Sequence, residues 1–237
     1  MLIIDHLEKH NKGTDKGVTD ITLHVEPGDI YAFIGHNGAG KTTLLKAITG
    51  IHDFDQGRVT IDGIDIRENP REVKRRIAYI PDNPDIYEFM TGIQYLQMIA
   101  DVFHVSEMDR EARVAEYAGR FEIMDALGDL ISSYSHGMKQ KLVLVSALLH
   151  SPRLLIMDEP FVGLDPKAAF VLKELMREMT ADGRAIFFST HVLEVAEKLC
   201  NKVAIIRNGQ IIADGLMEEV VKEGTTLEEL FMETAED

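Results

Sequence analysis

A segment near the start of the chain has the residue types and spacing of a phosphate-binding loop. The sequence GHNGAGKT, residues 35–42, fits G-x-x-x-x-G-K-[S/T] at every fixed position. Glycines let such a backbone curl so that successive N–H groups point at phosphate oxygens. Lys41 would then reach the β- and γ-phosphates of a nucleoside triphosphate, and the Thr42 hydroxyl would hold Mg²⁺. The predicted phosphate-binding residues are Gly35, Asn37, Gly38, Ala39, Gly40, Lys41, Thr42 and Thr43.

Two consecutive carboxylates follow a strongly apolar segment in the second half of the chain. In LLIMDEP, residues 154–160, four apolar residues precede Asp158, so a buried strand is expected to end there. A carboxylate at that place can orient Mg²⁺ through water. Glu159 can accept a proton from an attacking water, and we predict it as the general base. In isolation, the Asp158-Glu159 pair would indicate only a solvated acidic turn. In a chain that also contains the phosphate-binding loop, the pair indicates hydrolysis.

The elements that must position these residues alternate between apolar strands and helices. IYAFIG, LLIMDEP and AIFFST contain short apolar runs typical of strands buried on both faces. Helical spacing follows in KTTLLKAITG, and a second helix begins with Asp165 as N-cap and Pro166 at its first position. Asp62-Gly63 and Asn208-Gly209 are typical of hairpin turns. The alternation predicts a mostly parallel sheet covered by helices.

Two further regions differ from this pattern. Residues before about 30 alternate between polar and apolar types, which indicates antiparallel strands. From Thr91 to about Met124 the pattern is helical, and it opens with a capping pattern at Thr91 and Gln94. We therefore predict one domain with two parts. Residues 1–85 and 141–237 form an α/β core with an N-terminal β subdomain, and residues 86–140 form an inserted helical subdomain.

Composition limits the partners that the chain can have. The formal net charge is −15, so a nucleic-acid partner is not expected. No apolar run approaches the ~20 residues that span a membrane, and the N-terminus lacks the pattern of a signal peptide. The single cysteine, Cys200, is predicted to be a small core residue. We expect a cytoplasmic protein that reaches a membrane only through a protein partner.

The motifs, in this order, resemble those of the ATP-binding subunits of ABC transporters. Between Lys41 and the Asp158-Glu159 pair lies a loop similar to the family's signature. GLD, residues 163–165, resembles the D-loop, and STH, residues 189–191, resembles the segment of the switch histidine. The ending TLEELFMET is similar to the exporter-type branch, whose ATPase is separate from its membrane subunit. The resemblance spans nearly the whole chain. It implies a P-loop NTPase (RecA-like) fold, with ATP and Mg²⁺ as cofactors.

The resemblance also implies that a second subunit is needed. The family's signature is usually Leu-Ser-Gly-Gly-Gln, and here it is Tyr134 to Met138, with Ser135 and Gly137 kept. These two are implied to bind the γ-phosphate of ATP held by the opposite subunit, and a helix N-terminus with a hydroxyl donor suits an anion. His191 is implied to contact the γ-phosphate. The implied partners are a second ATPase subunit, identical or paired, and a polytopic subunit at the inner face of the cell membrane.

Two positions depart from the family pattern. Asp82 stands where the family has Gln, and both residue types can reach Mg²⁺ through oxygen. Asp82 is therefore a candidate metal ligand, with a solvated turn between Pro81 and Pro84 as the alternative. The family stacks adenine on an aromatic residue near the N-terminus. Here His10 or Asn11 occupies that region, and a merely exposed histidine is the alternative.

Three functions are compatible with these motifs. The first is an ATPase that dimerises around two ATP molecules and drives a membrane subunit. The second is a related non-transport ATPase acting in translation or DNA repair, although no zinc or coiled-coil insertion is visible. The third is a nucleotide-binding regulator without turnover, against which Glu159 argues. We expect the first. The predicted catalytic residues are Lys41, Glu159 and His191, and the predicted metal ligands are Thr42, Asp158 and Asp82.

Overall fold

Two sheets form the framework of the computed structural model, which describes residues 1–10, 17–221 and 225–233. The smaller sheet is antiparallel and has the strand order β2-β1-β4-β5. Its strands are β1 (Leu2–His10), β2 (Gly17–Val25), β4 (Gln56–Ile61) and β5 (Ile64–Asp65). Asp62 and Gly63 join the last two with φ of 51° and 76°. The predicted hairpin and the antiparallel N-terminal strands are therefore confirmed.

The larger sheet has the strand order β10-β9-β3-β8-β7-β6. Neighbouring strands run parallel except for β10, which pairs antiparallel with β9 through the turn at Asn208-Gly209. Its strands are β3 (Ile30–Ile34), β6 (Ile77–Ile80), β7 (Leu154–Asp158), β8 (Ala185–Thr190), β9 (Lys202–Arg207) and β10 (Gln210–Leu216). The three predicted apolar strands, β3, β7 and β8, are adjacent at its centre. This order brings the carboxyl ends of β3, β8 and β7 to one edge.

Helices cover both faces of the larger sheet. They are α1 (Lys41–Ile48), α2 (Pro70–Arg76), α3 (Gly92–Val102), α4 (Glu107–Arg120), α5 (His136–Leu148), α6 (Pro166–Ala181), α7 (Leu193–Leu199), α8 (Met217–Val220) and α9 (Leu227–Glu233). The capping box at the start of α3 is confirmed, because the Thr91 hydroxyl accepts from the Gln94 N–H at 3.3 Å and Gln94 Oε1 accepts from the Thr91 N–H at 2.9 Å. Asp165 caps α6 as predicted.

The region between β6 and β7 contains α3, α4 and α5 and two short 3₁₀ turns. Helix α5 continues beyond residue 140, so the boundary predicted there falls inside a helix. Helix α2 was not predicted, because only Val73 among its seven residues is buried and no apolar period is visible. The division into subdomains stays a prediction.

The core consists of two clusters, one on each face of the larger sheet. Phe187 and Phe188 are consecutive in β8 and point to opposite faces. Phe188 lies in the cluster shared with α5 and α6, and Phe187 lies in the one shared with α1 and the smaller sheet. Cys200 is buried, and this burial raises the pKa of its thiol, as expected for a core residue. No helix among the residues described is long and apolar enough to cross a membrane.

Candidate active site

A cavity of about 340 Å³ lies at the carboxyl ends of β3 and β7. Ligands of open α/β sheets bind at this edge, because the loops that leave the strands diverge there. The cavity is lined by Gly17, His36, Asn37, Gly38, Gly40, Lys41, Thr42, Thr43, Asp82, Asp158 and Glu159. The structure thus brings most of the predicted phosphate-binding loop together with both carboxylates of LLIMDEP and with Asp82.

The phosphate-binding loop connects β3 directly to α1. Gly40 adopts φ 113° at the N-cap, and an added Cβ would lie 2.7 Å from Val18 Cγ1 and 2.8 Å from the Gly17 carbonyl oxygen. Only glycine fits this position, since both the positive φ and the close approach exclude a side chain. The N–H groups at the start of α1 are thereby directed into the cavity, which suits an anion.

Lys41 is almost fully buried at 6% exposure. Its Nζ donates to the Gly35 carbonyl at 2.6 Å and to the His36 carbonyl at 3.4 Å, and it lies 3.5 Å from Glu159 Oε1. A buried ammonium is costly unless it is paired, and these three oxygens compensate it. The charge is therefore held over the loop, at the place where phosphate oxygens would replace the backbone carbonyls.

Asp158 ends β7 with both carboxylate oxygens engaged. Oδ2 accepts a hydrogen bond from the Thr42 hydroxyl at 2.6 Å, and Oδ1 accepts one from the Ser189 hydroxyl at the end of β8. The residues described contain no group of three or more His, Cys, Asp or Glu side chains able to hold a metal by themselves. One hydroxyl and one or two carboxylates fit Mg²⁺, which is usually bound by few protein oxygens together with substrate phosphates.

The two carboxylate oxygens of Glu159 have different surroundings. Oε2 accepts a hydrogen bond from the backbone N–H of His191 at 3.2 Å, and it lies 2.9 Å from Nδ1 of the His191 ring. Oε1 is buried and accepts no hydrogen bond from the described part of the chain, although Lys41 Nζ lies 3.5 Å away. The backbone of Glu159 has φ 48°, a left-handed conformation that non-glycine residues adopt uncommonly. A carboxylate that is oriented by His191, and whose Oε1 accepts no hydrogen bond from the described chain, is suited to accept a proton.

The signature-like loop is intact but does not line this cavity. Ser135 is the N-cap of α5, and its exposed side chain accepts from the Met138 N–H at 3.3 Å. Gly163 of the D-loop packs against this segment, because an added Cβ would lie 2.8 Å from His136 Cδ2. Lys141 pairs with Asp165 at 2.7 Å, and this contact lowers the pKa of the aspartate. Ser135 and Gly137 therefore do not contribute to the cavity that contains the chain's own phosphate-binding loop.

The two candidates for adenine stacking were His10 and Asn11, and the site also contains two residues that the sequence did not predict. His10 donates its backbone N–H to Asp55 Oδ2 at 2.7 Å and does not line the cavity, and Asn11 lies outside the described residues. Gly17 and Ser189 were not predicted as part of the site. Gly17 carries no recognisable signal, since its contact with Gly40 is made only in the folded chain. Ser189 lies near the carboxyl end of a buried strand, as Asp158 does, and could have been found by that position.

Comparison with known proteins identifies the family. A model described as ABC transporter matches residues 18–162, and a second, of an AAA domain, matches residues 130–197. The ABC transporter ATP-binding protein NatA of Bacillus subtilis is 32% identical over 206 residues, which are 86% of this chain and 84% of NatA. The ABC-type transporter ATP-binding protein EcsA of the same organism is 34% identical over 223 residues, 92% and 90% of the two chains.

A solved structure supports the same assignment. The structure titled "Structure of ATP binding subunit of ABC transporter" has a TM-score of 0.94 and 35% identity, and it covers 99% of both chains. The P-loop NTPase fold with its mostly parallel sheet is thereby confirmed. The names of the relatives favour a transport subunit over an ATPase of translation or DNA repair. Because the family model matches more than half of the chain and both relatives exceed 30% identity, this chain belongs to the ABC transporter family and is an ATP-binding subunit that hydrolyses ATP.

Proposed function

We propose that two copies of this chain associate around two ATP molecules and power an exporter-type membrane subunit. The observation that carries the proposal is the separation of the two anion-binding loops. The cavity holds Lys41 without Ser135 or Gly137, although the Ser135 loop is formed, exposed and capped. One chain thus contains one phosphate-binding loop, at Lys41, and one further helix N-terminus that can bind an anion, at Ser135. A two-fold dimer, in which each copy gives its Ser135 loop to the other's cavity, uses both.

In this proposal each side chain of the cavity has a separate role in ATP hydrolysis. Lys41 exchanges its backbone carbonyl partners for the β- and γ-phosphate oxygens, since charge-assisted hydrogen bonds are stronger than those to a carbonyl. Glu159 Oε1 accepts the proton of the attacking water. His191 holds Glu159 through Oε2 and contacts the γ-phosphate. Ser135 and Gly137 of the other copy complete the cradle of the γ-phosphate.

Mg²⁺ would be held by Thr42, Asp158 and Asp82. It would supply positive charge against the phosphate oxygens. Asp82 lines the cavity from the loop that follows β6, and its Oδ1 accepts only from its neighbour's N–H, that of Asn83 at 2.8 Å, among the contacts of the described chain. The Asp82 carboxylate therefore has lone pairs that are available to a metal ion.

Asp82→Ala is expected to raise several-fold the Mg²⁺ concentration that gives half-maximal ATPase activity, because one oxygen ligand is lost. The measurement is an Mg²⁺ titration at saturating ATP. Asp85→Ala is the matched control, since it removes the same charge from the same loop and does not line the cavity. An unaltered Mg²⁺ requirement in Asp82→Ala would favour the solvated turn.

The membrane subunit is proposed to dock on a groove beside this loop. An apolar groove of about 380 Å³ lies between β6 and helices α3 and α5, and residues of the 81–86 loop line it. Large apolar side chains are exposed nearby, with Phe89 at 78% and Tyr87 at 53%. Exposed apolar patches of this kind mark interaction sites. Binding there would hold the chain at the inner face of the cell membrane, in the cytoplasm.

The test of the dimer uses a protein that binds ATP without consuming it. Glu159→Gln is expected to be monomeric without nucleotide and dimeric with ATP and Mg²⁺, as measured by light scattering. Adding Ser135→Arg should abolish the dimer, because the long side chain fills the space of the γ-phosphate. Ser132→Arg is the matched control, three residues away and also exposed. A Ser135→Arg protein that dimerises as well as its parent contradicts the proposal.

A mixing experiment makes the test sharper. Lys41→Ala and Ser135→Arg are each expected to be inactive as homodimers. In a mixed dimer, one composite site carries both defects and the other carries neither. ATPase activity should therefore return when the two inactive proteins are combined. If both variants are inactive alone and mixing restores nothing, the exchange of loops between copies is not supported.

A further inference from the structure

The hydroxyl of Tyr79 is a buried donor without a hydrogen-bond partner in the part of the chain that the structure describes. Leaving such a group unpaired costs free energy, so its position calls for a reason. Tyr79 lies in β6, where it pairs with Ile156 of the parallel strand β7. Asp158 is two residues further along β7. Because side chains alternate along a strand, Tyr79 and Asp158 share one face of the sheet.

Two carboxylates lie near enough to the Tyr79 hydroxyl to act on it electrostatically. Burial raises the pKa of Tyr79, and the negative charges of Asp158 and Asp82 raise it further. The hydroxyl therefore keeps its proton at neutral pH and can only donate to these carboxylates. Asp158 already accepts from Thr42 and from Ser189. Asp82 accepts from its neighbour's backbone alone, through Oδ1, among the described contacts, so it is the more available acceptor.

The position of Tyr79 connects two cavities. Tyr79 lines the apolar groove beside β6 together with Pro81 and Pro84. Asp82, three residues further on, lines the nucleotide cavity. Residues of the loop at 81–86 therefore line both cavities, and Tyr79 lies two residues before this loop. A hydrogen bond between the two side chains would fix that loop relative to the sheet.

We propose that Tyr79 is a positioning residue whose hydroxyl donates a hydrogen bond to the Asp82 carboxylate in the protein loaded with ATP. The bond holds Asp82 where it can serve as a metal ligand, and the inference rests on that proposed role of Asp82. In the conformation described here Asp82 is exposed, and the Tyr79 hydroxyl has no hydrogen-bond partner among the described residues.

The test measures binding rather than turnover. In the Glu159→Gln background, equilibrium binding of ATP is followed over a series of Mg²⁺ concentrations. Tyr79→Phe is expected to weaken the apparent Mg²⁺ affinity by about tenfold, the effect of losing one hydrogen bond to a charged group. Without nucleotide, its melting temperature should be unchanged or higher, because phenylalanine loses only an unpaired hydroxyl. A tyrosine with a purely structural role would show the reverse pattern.

A double-mutant cycle identifies the acceptor. In the Asp82→Ala background, Tyr79→Phe should cause no further loss of Mg²⁺ affinity, because the two groups act as one unit. Tyr117→Phe is the matched control, since Tyr117 is a buried tyrosine of α4 that lines neither cavity and should leave the Mg²⁺ affinity unchanged. Full additivity of the two substitutions would overturn the inference.

The outcomes also separate this inference from the proposal on which it rests. If Asp82→Ala weakens Mg²⁺ affinity and Tyr79→Phe does not, the positioning role is wrong and the metal role of Asp82 stands. If Asp82→Ala has no effect on Mg²⁺ affinity, the metal role itself is wrong. In that case an effect of Tyr79→Phe alone would point to Asp158 as the acceptor and would equally overturn the pairing with Asp82.

Discussion

Lys41→Ala is expected to lower ATP turnover by at least about 10²–10³-fold, as the loss of one preorganised electrostatic group does, and to weaken ATP binding by about 10–100-fold. The reason is the position of the ammonium, which is 6% exposed and held over the phosphate-binding loop by the Gly35 and His36 carbonyls. Alanine leaves the loop's N–H groups without a positive side chain. The measurements are the steady-state ATPase rate and equilibrium ATP binding.

The control for Lys41→Ala is Lys46→Ala, which removes the same charge from the last turn of the same helix. It should keep both binding and turnover. Thermal unfolding of each variant is needed as well, because removing Lys41 leaves the largely buried carboxylate of Glu159 without its nearest cation, 3.5 Å away. A folded Lys41→Ala protein that hydrolyses ATP at the parent rate would show that the phosphate site lies elsewhere.

Glu159→Gln is expected to lower turnover by about 10²–10⁴-fold while ATP binding survives. Glutamine keeps the size and the contact with the His191 N–H, but its amide cannot take up a proton from water. Removing a negative charge from the cavity should also favour the phosphates, so the affinity for ATP is expected to be equal or higher. Single-turnover hydrolysis and equilibrium binding together distinguish lost chemistry from lost binding.

The matched control is Glu174→Gln in α6, where the partly exposed carboxylate pairs with Arg177 at 2.6 Å and does not line the cavity. Its turnover should equal that of the parent. Unchanged turnover in Glu159→Gln would move the general base to another residue, and His191 would be the next candidate. A collapse of ATP binding would instead mean that Glu159 mainly balances the charge of Lys41.

The local parts of this protein could be predicted because their signals are contiguous. The phosphate-binding loop occupies eight consecutive residues, and its glycines, lysine and threonine carry the chemistry without help from distant segments. The buried strands β3, β7 and β8 are visible as apolar runs, since both of their faces are covered. The caps at Thr91 and Asp165 depend on residues three positions apart. Helix α2 was not predicted because Val73 is its one buried residue, so its sequence shows no apolar periodicity.

The arrangement of these parts was decided by the tertiary structure. The strand order β3-β8-β7 brings Thr42, Asp158, Glu159, Ser189 and His191 to one edge of the sheet, and no local pattern contains that order. The same order places Glu159 beside Lys41, with Oε1 at 3.5 Å from the ammonium. It also separates the Ser135 loop from the cavity of its own chain. Sequence alone determined which residues have the chemistry for ATP, because the motif is local, and only packing decided which of them meet, because contacts between distant segments depend on how the strands are ordered.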